Sequence, residues 1–270
     1  MSPPSELWYV YGITPATIDV RRAPDGLDDA RLVLCVDEDL AAVASRLDGE
    51  RYSPSEIERG TENVEWLAPR AVAHDRVLTW LSDHGPVVPL PVFSLFSAED
   101  AVKKILRERR VELRNALRRV ERGREYALRV YRIDAELATV AAEHSPRLAE
   151  LEHAAAAASP GQRYLLERKL DAERKKELHG IGASIARQIA AALRPFAIET
   201  AETRVSARGG RPDAEGTLIL DIAFLVDPGR LEHFQRALTE IVAQRGGRGF
   251  RFDFTGPWPP YHFAQPSDDR

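Results

Sequence analysis

Histidine is the residue type in this sequence best suited to bind a metal ion or to transfer a proton near neutral pH. The chain has seven histidines, and none belongs to an HExxH or HxxxH pair that would place two metal ligands on one helix face. A single cysteine, Cys35, excludes a disulfide or a thiolate cluster within one chain. Its sequence neighbours are mostly apolar, so we interpret it as a small buried residue rather than a reactive thiol. The sequence therefore predicts no metal site.

The stretch GIGASI, residues 180–185, is the nearest approach to a nucleotide-binding motif. It lacks the third glycine of the dinucleotide fingerprint and follows a polar helical stretch rather than a strand, so it fails the structural requirement of that motif. Neither a GxSxG sequence nor a phosphate-binding P-loop is present. Adjacent carboxylates such as Glu38 and Asp39 lie in turn-like stretches that are typical of solvated surface. We predict no catalytic residue, no cofactor and a function that is not enzymatic.

Basic residues are concentrated in residues 97–122, where Lys and Arg outnumber Asp and Glu. One interpretation is a face for nucleic acid, in a binding or regulatory module whose affinity would fall steeply with salt. The other is a solvated helix with ion pairs at helical spacing, such as Lys104–Glu108 and Arg118–Glu121. The net charge of −4 argues against general nucleic-acid affinity. The RGGR and RGGRG stretches at 208–211 and 245–249 each occur once, at predicted turns.

The C-terminal stretch RFDFTGPWPPYHF, residues 251–263, concentrates aromatic residues in a chain that is only 7% aromatic. Its prolines cannot continue a helix or a central strand, which predicts a strand that ends near Thr255 and then a stiff extended tail. The tail either covers an edge of its own C-terminal domain or offers interface anchors to a partner. The candidate partner-binding residues are Pro257, Trp258, Pro259, Pro260, Tyr261 and Phe263.

The elements that would position these residues begin with strands and helices in the first half of the chain. Apolar alternation or extended apolar runs predict strands at 7–14, 30–37, 40–47 and 86–96, the last broken by prolines. Residues 48–69 are polar and carry turn signals, whereas residues 70–84 have helical spacing. A capping box at Ser97 predicts one long amphipathic helix that continues to Arg122.

The second half combines further strands with a large helical region. Strands are predicted at 126–134, 196–205, 217–226 and 249–254, with the third of these in the centre of a sheet. Residues 135–194 are predicted to be mostly helical with a break at 159–161, and the polar stretch 171–177 is expected to stand in solvent. Leu178, Ile181, Ile185, Ile189 and Ala192 form an apolar stripe beyond it. A helix beginning at Asp227-Pro228 precedes the last strand.

This order predicts an α+β protein of two domains. Residues 1–123 form a small α+β domain, a ferredoxin-like variant, and residues 124–270 form a split βαβ domain. The second domain carries a helical hairpin at about 135–194 with coiled-coil-like packing, and the aromatic tail at 255–263. No apolar run approaches the roughly 20 residues of a membrane helix, and no secretory signal is evident, so a cytoplasmic location is expected.

Three stretches resemble the gas vesicle accessory protein family GvpL/GvpF. The opening LWYVYGI is similar to the family's start, and the region from PVVPLPVFSLFSAEDAVKKIL to YALRVYRI is similar to its middle. The ending FRFDFTGPWPPYHF is the most specific, since Gly-Pro-Trp-Pro-Pro-Tyr-x-Phe is close to a family signature. Residues 89–96 read PLPVFSLF where many members have PLRFGTVF, so no role of that Arg or Gly carries over.

The resemblance implies a non-enzymatic accessory or minor structural protein in gas vesicle assembly. Such proteins bind the small hydrophobic shell protein or other accessory proteins, in the cytoplasm and at the vesicle, without nucleic acid or lipid membrane. The aromatic tail is a hallmark of the family, and both of its interpretations, a fold lock and a contact surface, stay open at this point. The alternative function is the nucleic-acid-binding or regulatory module suggested by residues 97–122.

Overall fold

The computed structural model describes residues 5–203 and 216–264, which form an α+β structure with two separate β-sheets. Contacts between Cα atoms group the described residues up to Glu125 with those from Pro257 onward, and Tyr126–Gly256 form a second compact unit. The tail therefore groups with the N-terminal residues, whereas the sequence placed it with residues 124–270. That these units are independent domains stays a prediction. The RGGR stretch at 208–211 lies outside the described residues.

The first unit contains an antiparallel sheet whose strands follow the order β2-β3-β1-β4, with β5 also paired to β1. The strands are β1 (Glu6–Pro15), β2 (Leu32–Asp37), β3 (Leu40–Asp48), β4 (Val88–Pro89) and β5 (Leu95–Phe96). The prediction of a strand at 40–47 is confirmed, and β3 lies inside the sheet. Prolines reduce residues 86–96 to two short edge pieces, as expected from the missing backbone donor of proline.

The helices of the first unit are α1 (Pro54–Thr61), α2 (Val64–His84), α3 (Glu99–Glu108) and α4 (Arg110–Val120). The turn signals predicted at 48–69 correspond to turns at 49–52, but two caps start helices in the rest of this stretch, which the sequence did not predict. Ser53 Oγ accepts from the backbone N–H of Glu56 at 3.4 Å, and Asn63 Oδ1 accepts from that of Glu65 at 2.9 Å. Such caps satisfy the free N–H groups of the first helical turn.

The predicted long helix at 97–122 is two helices. Arg109 departs from helical geometry, with φ −105° and ψ 16°, and separates α3 from α4. The predicted cap at Ser97 is also wrong, since α3 begins after Ala98 without a side-chain cap. The apolar stripe survives the break, because Val102 and Leu106 on α3 and Leu113, Leu117 and Val120 on α4 are buried.

The second sheet follows the order β7-β8-β6-β9. Its strands are β6 (Arg124–Arg132), β7 (Glu199–Glu202), β8 (Thr217–Val226) and β9 (Phe250–Trp258). In chain order this is second-third-first-fourth, the same order as in the first sheet and the split βαβ arrangement that the sequence predicts for this half. The central position of β8 is confirmed. The predicted strand end near Thr255 was wrong, because β9 is an edge strand, where Pro257 is tolerated.

The helices of the second unit are α5 (Asp134–His144), α6 (Pro146–Ala157), α7 (Pro160–Leu193) and α8 (Leu231–Arg245). The polar stretch 171–177 on α7 is exposed to solvent at Asp171, Lys175 and Lys176, as expected, but its other side faces a partner helix. Glu173 pairs with Arg147 at 3.0 Å and Arg174 with Glu152 at 3.3 Å. These partners lie on α6, so charge pairs join the two helices there, and both helices also contribute buried leucines, Leu148 and Leu170, to the core of this unit. The predicted stripe ends at the buried Leu193, while Ala192 is exposed.

Candidate functional site

The aromatic tail forms a tight turn within the first unit. The backbone N–H of Tyr261 donates to the carbonyl of Pro259 at 2.7 Å, and that of Ala264 donates to the carbonyl of Pro260 at 2.9 Å. Phe263 and Ala264 have no exposed surface. Because prolines restrict the backbone, little conformational entropy is lost when this turn forms.

Tyr261 connects the tail to α2. Its hydroxyl donates to Oδ1 of Asp75 at 2.8 Å, and its ring packs against the hydrophobic core of the first unit. Burial and the neighbouring carboxylate of Asp75 both disfavour the phenolate and raise the pKa of Tyr261 well above its usual value. The phenol is therefore a fixed hydrogen-bond donor at every physiological pH.

Glu125 receives the next tail residue from the start of β6. Its carboxylate is only 2% exposed, and it accepts from the backbone N–H of His262 at 3.0 Å and contacts Nδ1 of the same residue at 2.7 Å. A buried carboxylate is costly unless it is paired and hydrogen-bonded. The two contacts from His262 supply this pairing, so the buried carboxylate of Glu125 is compensated when the tail is docked.

The six candidate residues of the tail divide into two classes. Pro259, Pro260 and Phe263 are buried and Tyr261 is half-buried, so these four stabilise the fold. Pro257 and Trp258 are exposed, with 39% of Trp258 accessible. Partner binding by any of the six stays a prediction. Of these residues, Pro257 and Trp258 have the exposed surface that such binding requires.

A groove of about 410 Å³ lies beside Tyr261. Its walls are α2 and the proline-broken segment 89–92, and the lining residues are Ala71, His74, Asp75, Pro89, Leu90, Pro91, Val92 and Tyr261. Val92 is 37% exposed. The groove thus presents prolines, aliphatic side chains and one carboxylate, a composition suited to a peptide segment rather than to a reacting small molecule.

A buried hydrogen-bond network fixes the floor of this groove. The hydroxyl of Tyr9 donates to Nδ1 of His74 at 2.6 Å and accepts from the backbone N–H of Phe93 at 3.3 Å. Nε2 of His74 donates to the carbonyl of Leu90 at 3.1 Å, which assigns the neutral tautomer protonated at Nε2. Burial lowers the pKa of His74, because it disfavours the charged ring. The network holds segment 89–93, where Phe93 has a positive φ of 67°.

The basic residues of α3 and α4 are neutralised by the hairpin between β2 and β3. Arg107 and Arg110 bind Asp37, Arg110 also binds Glu38, and Arg114 binds Asp39 through two contacts of 2.6 and 2.7 Å. The predicted pair Lys104–Glu108 is present at 3.7 Å. These pairs leave little uncompensated positive charge on the helices, so the structure gives no support to a nucleic-acid face.

The end of the α6–α7 hairpin is an exposed feature whose individual residues were not predicted from the sequence. Tyr164 and Leu165, in the first turns of α7, are 60% and 68% exposed. The last turn of α6 beside them is an alanine run, in which Ala154, Ala156 and Ala157 are exposed. We call Tyr164, Leu165 and these alanines the helical tip. The sequence signal for the helical tip is the pair of adjacent apolar residues at 164–165 within a charged stretch.

The titratable groups that could serve catalysis or metal binding are dispersed. The described residues contain no group of three or more His, Cys, Asp or Glu placed to hold a metal ion. Cys35 is buried, as predicted, and burial raises the pKa of its thiol to about 11. Among the helices of the described ranges, none is long and apolar enough to cross a bilayer.

Nearly the whole chain is similar to known proteins. The family model described as "Gas vesicle synthesis protein GvpL/GvpF" matches residues 7–265, from β1 through the tail. The chain belongs to the GvpL/GvpF family. It is 28% identical over 265 residues to gas vesicle protein L of Streptomyces sp. strain CB03234, covering 96% of this chain and 92% of that protein. It is also 28% identical to gas vesicle protein L2 of Halobacterium salinarum, covering 93% and 96% of the two chains.

Solved GvpF structures share the fold of this GvpL/GvpF protein. The crystal structure of GvpF from Anabaena sp. PCC7120 matches with a TM-score of 0.69 over 97% of each chain, at 19% identity. GvpF from Microcystis aeruginosa matches with a TM-score of 0.67, covering 96% of this chain and 99% of that one, at 18% identity. The GvpL/GvpF family comprises gas vesicle accessory proteins and not enzymes, which agrees with the prediction of a non-enzymatic function.

Proposed function

We propose that this chain is an accessory or minor structural protein in gas vesicle assembly, and that it binds the small hydrophobic shell protein, other accessory proteins, or both. Family membership over nearly the whole chain supports the assembly role. The protein would act in the cytoplasm and at the growing vesicle. Two independent domains, and coiled-coil-like packing within residues 135–194, are further parts of this proposal.

The observation that carries the binding proposal is the helical tip. A protein that holds an aggregation-prone apolar partner must offer apolar surface rimmed by charge. Tyr164 and Leu165 provide such surface, and the neighbouring exposed side chains of Arg163, Glu167 and Arg168 provide the rim. Trp258 is the second, smaller anchor, since exposed tryptophan is a preferred interface residue.

Co-purification with the shell protein tests this proposal. We expect the double variant Tyr164→Ser/Leu165→Ser to lose most of the shell protein, while its thermal unfolding stays unchanged, because both side chains are exposed. Val242→Ser, on an exposed position of α8 in the same unit, is the matched control and should bind like the wild type. Trp258→Ala should weaken binding to a smaller extent.

Three results would decide against it. A wild-type protein that never captures shell protein rules out direct binding, and the other accessory proteins must then be tested as prey. Equal binding by the tip variant moves the contact elsewhere. Normal flotation of a strain that lacks this protein contradicts the assembly role itself.

A further inference from the structure

Strand β2 is an edge strand without the features that usually prevent edge-to-edge pairing. Edge strands are normally kept apart by shortness, proline, lysine or a bulge. The other edges in the described residues have such features: β4 and β5 are two residues each, β7 is four residues with two glutamates, and β9 contains Pro257. β2 is six residues long, reads LVLCVD, and pairs with β3 in unbroken register.

The outward-facing backbone groups of β2 follow from its hairpin with β3. Asp37 and Leu40 close a two-residue turn, so Val33, Cys35 and Asp37 direct their N–H and C=O groups toward β3. Leu32, Leu34 and Val36 direct theirs to the open edge. Nothing in the described ranges hydrogen-bonds to these outward groups.

The sequence of this edge is complementary to itself in the antiparallel direction. With Leu34 opposite Leu34 of a second copy, Leu32 faces Val36 and Arg31 faces Asp37 at both ends. In that register Leu32, Leu34 and Val36 form the hydrogen-bonded pairs, and these are the residues whose backbone groups are free. Branched aliphatic residues are favourable cross-strand neighbours. Asp37 already binds Arg107 and Arg110, so Arg31 of the second copy would add only a further contact at the rim. The exposed Arg31 has no ion-pair partner within the described part of the chain.

We infer that β2 pairs with β2 of a second copy of this chain, antiparallel and centred on Leu34, to form a two-fold symmetric dimer with a continuous sheet. A two-fold interface uses the same patch on both copies, which a self-complementary strand provides. Helix α3 contacts both β2 and β3. A helix centred over the gap between them would lie roughly 10 Å from its copy, the spacing of packed helices.

The strength of this pairing is limited by its size. One six-residue strand on each side buries less than the roughly 1,000 Å² expected of a stable interface. We therefore expect a dimer that dissociates on dilution, and a mass that rises with concentration. This inference does not depend on which gas vesicle protein the chain binds, since it requires only the purified protein.

Sedimentation equilibrium tests the pairing, with two substitutions at Val36, which is 43% exposed. Val36→Lys places a charge opposite Leu32 of the partner, and Val36→Pro removes one outward N–H without touching the β2–β3 ladder. Both should raise the dissociation constant by about tenfold or more. Val111→Lys, at a 72% exposed position on α4, should dimerise like the wild type.

Disulfide trapping tests the register, in a Cys35→Ser background. Residues opposite each other in a hydrogen-bonded antiparallel pair have Cα atoms about 5.5 Å apart, within disulfide range. Leu34→Cys should therefore form an intermolecular disulfide on mild oxidation. Val36→Cys should not, because its own copy lies four residues away along the strand, roughly 14 Å. A thermal melt of each variant shows that it is folded.

The inference is overturned by any of three results. These are a wild-type protein that stays monomeric at its highest soluble concentration, a Val36→Lys variant that dimerises with unchanged affinity, and trapping by Val36→Cys in preference to Leu34→Cys. Loss of shell-protein capture by Val36→Lys in a monomeric wild type would show that the edge binds another partner, which also contradicts pairing between copies.

Discussion

The hydroxyl of Tyr261 donates a hydrogen bond to Asp75 at 2.8 Å, although 186 residues separate them in the chain. The tail that follows β9 is thereby part of the unit that begins with β1. A neighbouring contact adds to this one, because the next residue, His262, hydrogen-bonds to the buried carboxylate of Glu125. The buried part of the aromatic ending is thus packed and hydrogen-bonded within the first unit, and we predict that it stabilises this unit. Partner binding by its exposed residues also stays a prediction.

Removing the hydroxyl of Tyr261 should destabilise the first unit. We expect Tyr261→Phe to reduce the free energy of unfolding by about 1 kcal/mol, since the ring stays and one hydrogen bond to a partly buried carboxylate is lost. Chemical denaturation followed by circular dichroism measures this. Tyr164→Phe, at a 60% exposed position, is the control and should have no effect. Equal stability of both variants would show that the contact with Asp75 contributes nothing.

Truncating the buried ring at the end of the tail should cost more. Phe263 has no exposed surface, so Phe263→Ala should reduce the free energy of unfolding by about 3–5 kcal/mol through lost burial and a cavity. Trp258→Ala should have a clearly smaller effect, because Trp258 is 39% exposed. The same denaturation experiment compares the two. A larger loss for Trp258 than for Phe263 would contradict the assignment of lock and surface.

The carboxylate of Glu125 should be essential for seating His262. Glu125→Ala leaves the backbone N–H of His262 without its acceptor in a partly buried site, at an expected cost of about 1–3 kcal/mol. Glu125→Gln keeps an oxygen acceptor and should cost less. Limited proteolysis near the C-terminus reports release of the tail directly. If both variants resist proteolysis like the wild type, Glu125 does not hold the tail.

Much of the fold was predictable from local patterns, and the errors have physical causes. Alternation located β1, apolar runs located β2 and β8, and the element order predicted the split arrangement of the second unit. The helices at 54–69 were missed because their signals are caps and not an apolar stripe. The break at Arg109 could not be predicted, since the apolar positions on its two sides keep helical spacing across it.

The candidate site was predictable in composition but not in placement. A concentration of proline and aromatic residues identifies the tail, whereas its docking partners, Asp75 and Glu125, are distant in sequence and carry no pattern of their own. Likewise, the acidic residues 37–39 and the arginines of α3 and α4 look like separate solvated groups until the hairpin brings them together. Long-range pairing of this kind requires the fold.

The thiol of Cys35 should be unreactive in the native protein. Burial raises its pKa from 9.0 to about 11, so at neutral pH the thiolate fraction falls roughly a hundredfold. Titration with a chromogenic disulfide reagent should therefore detect no rapid reaction in the folded state and one equivalent in denaturant. A fast native reaction would mean that the β2 face under α3 opens readily.

The buried network at His74 should make stability depend on pH. Because burial lowers its pKa in the folded state, the unfolded chain binds a proton more readily. The contribution of neutral His74 to the free energy of unfolding is fully present above the ordinary histidine pKa of about 6.5. It is lost as the pH falls below that value and through the lower pKa of the folded state. Protonation at Nδ1 also removes the acceptor for the hydroxyl of Tyr9. We therefore expect the free energy of unfolding to decrease from pH 7.5 to pH 5.

His74→Gln is the matched control, because its amide can accept from Tyr9 and donate to Leu90 without titrating. The difference in the free energy of unfolding between wild type and variant separates the effect of His74 from that of the other histidines. If this difference does not change with pH, His74 has the same pKa in the folded and unfolded states.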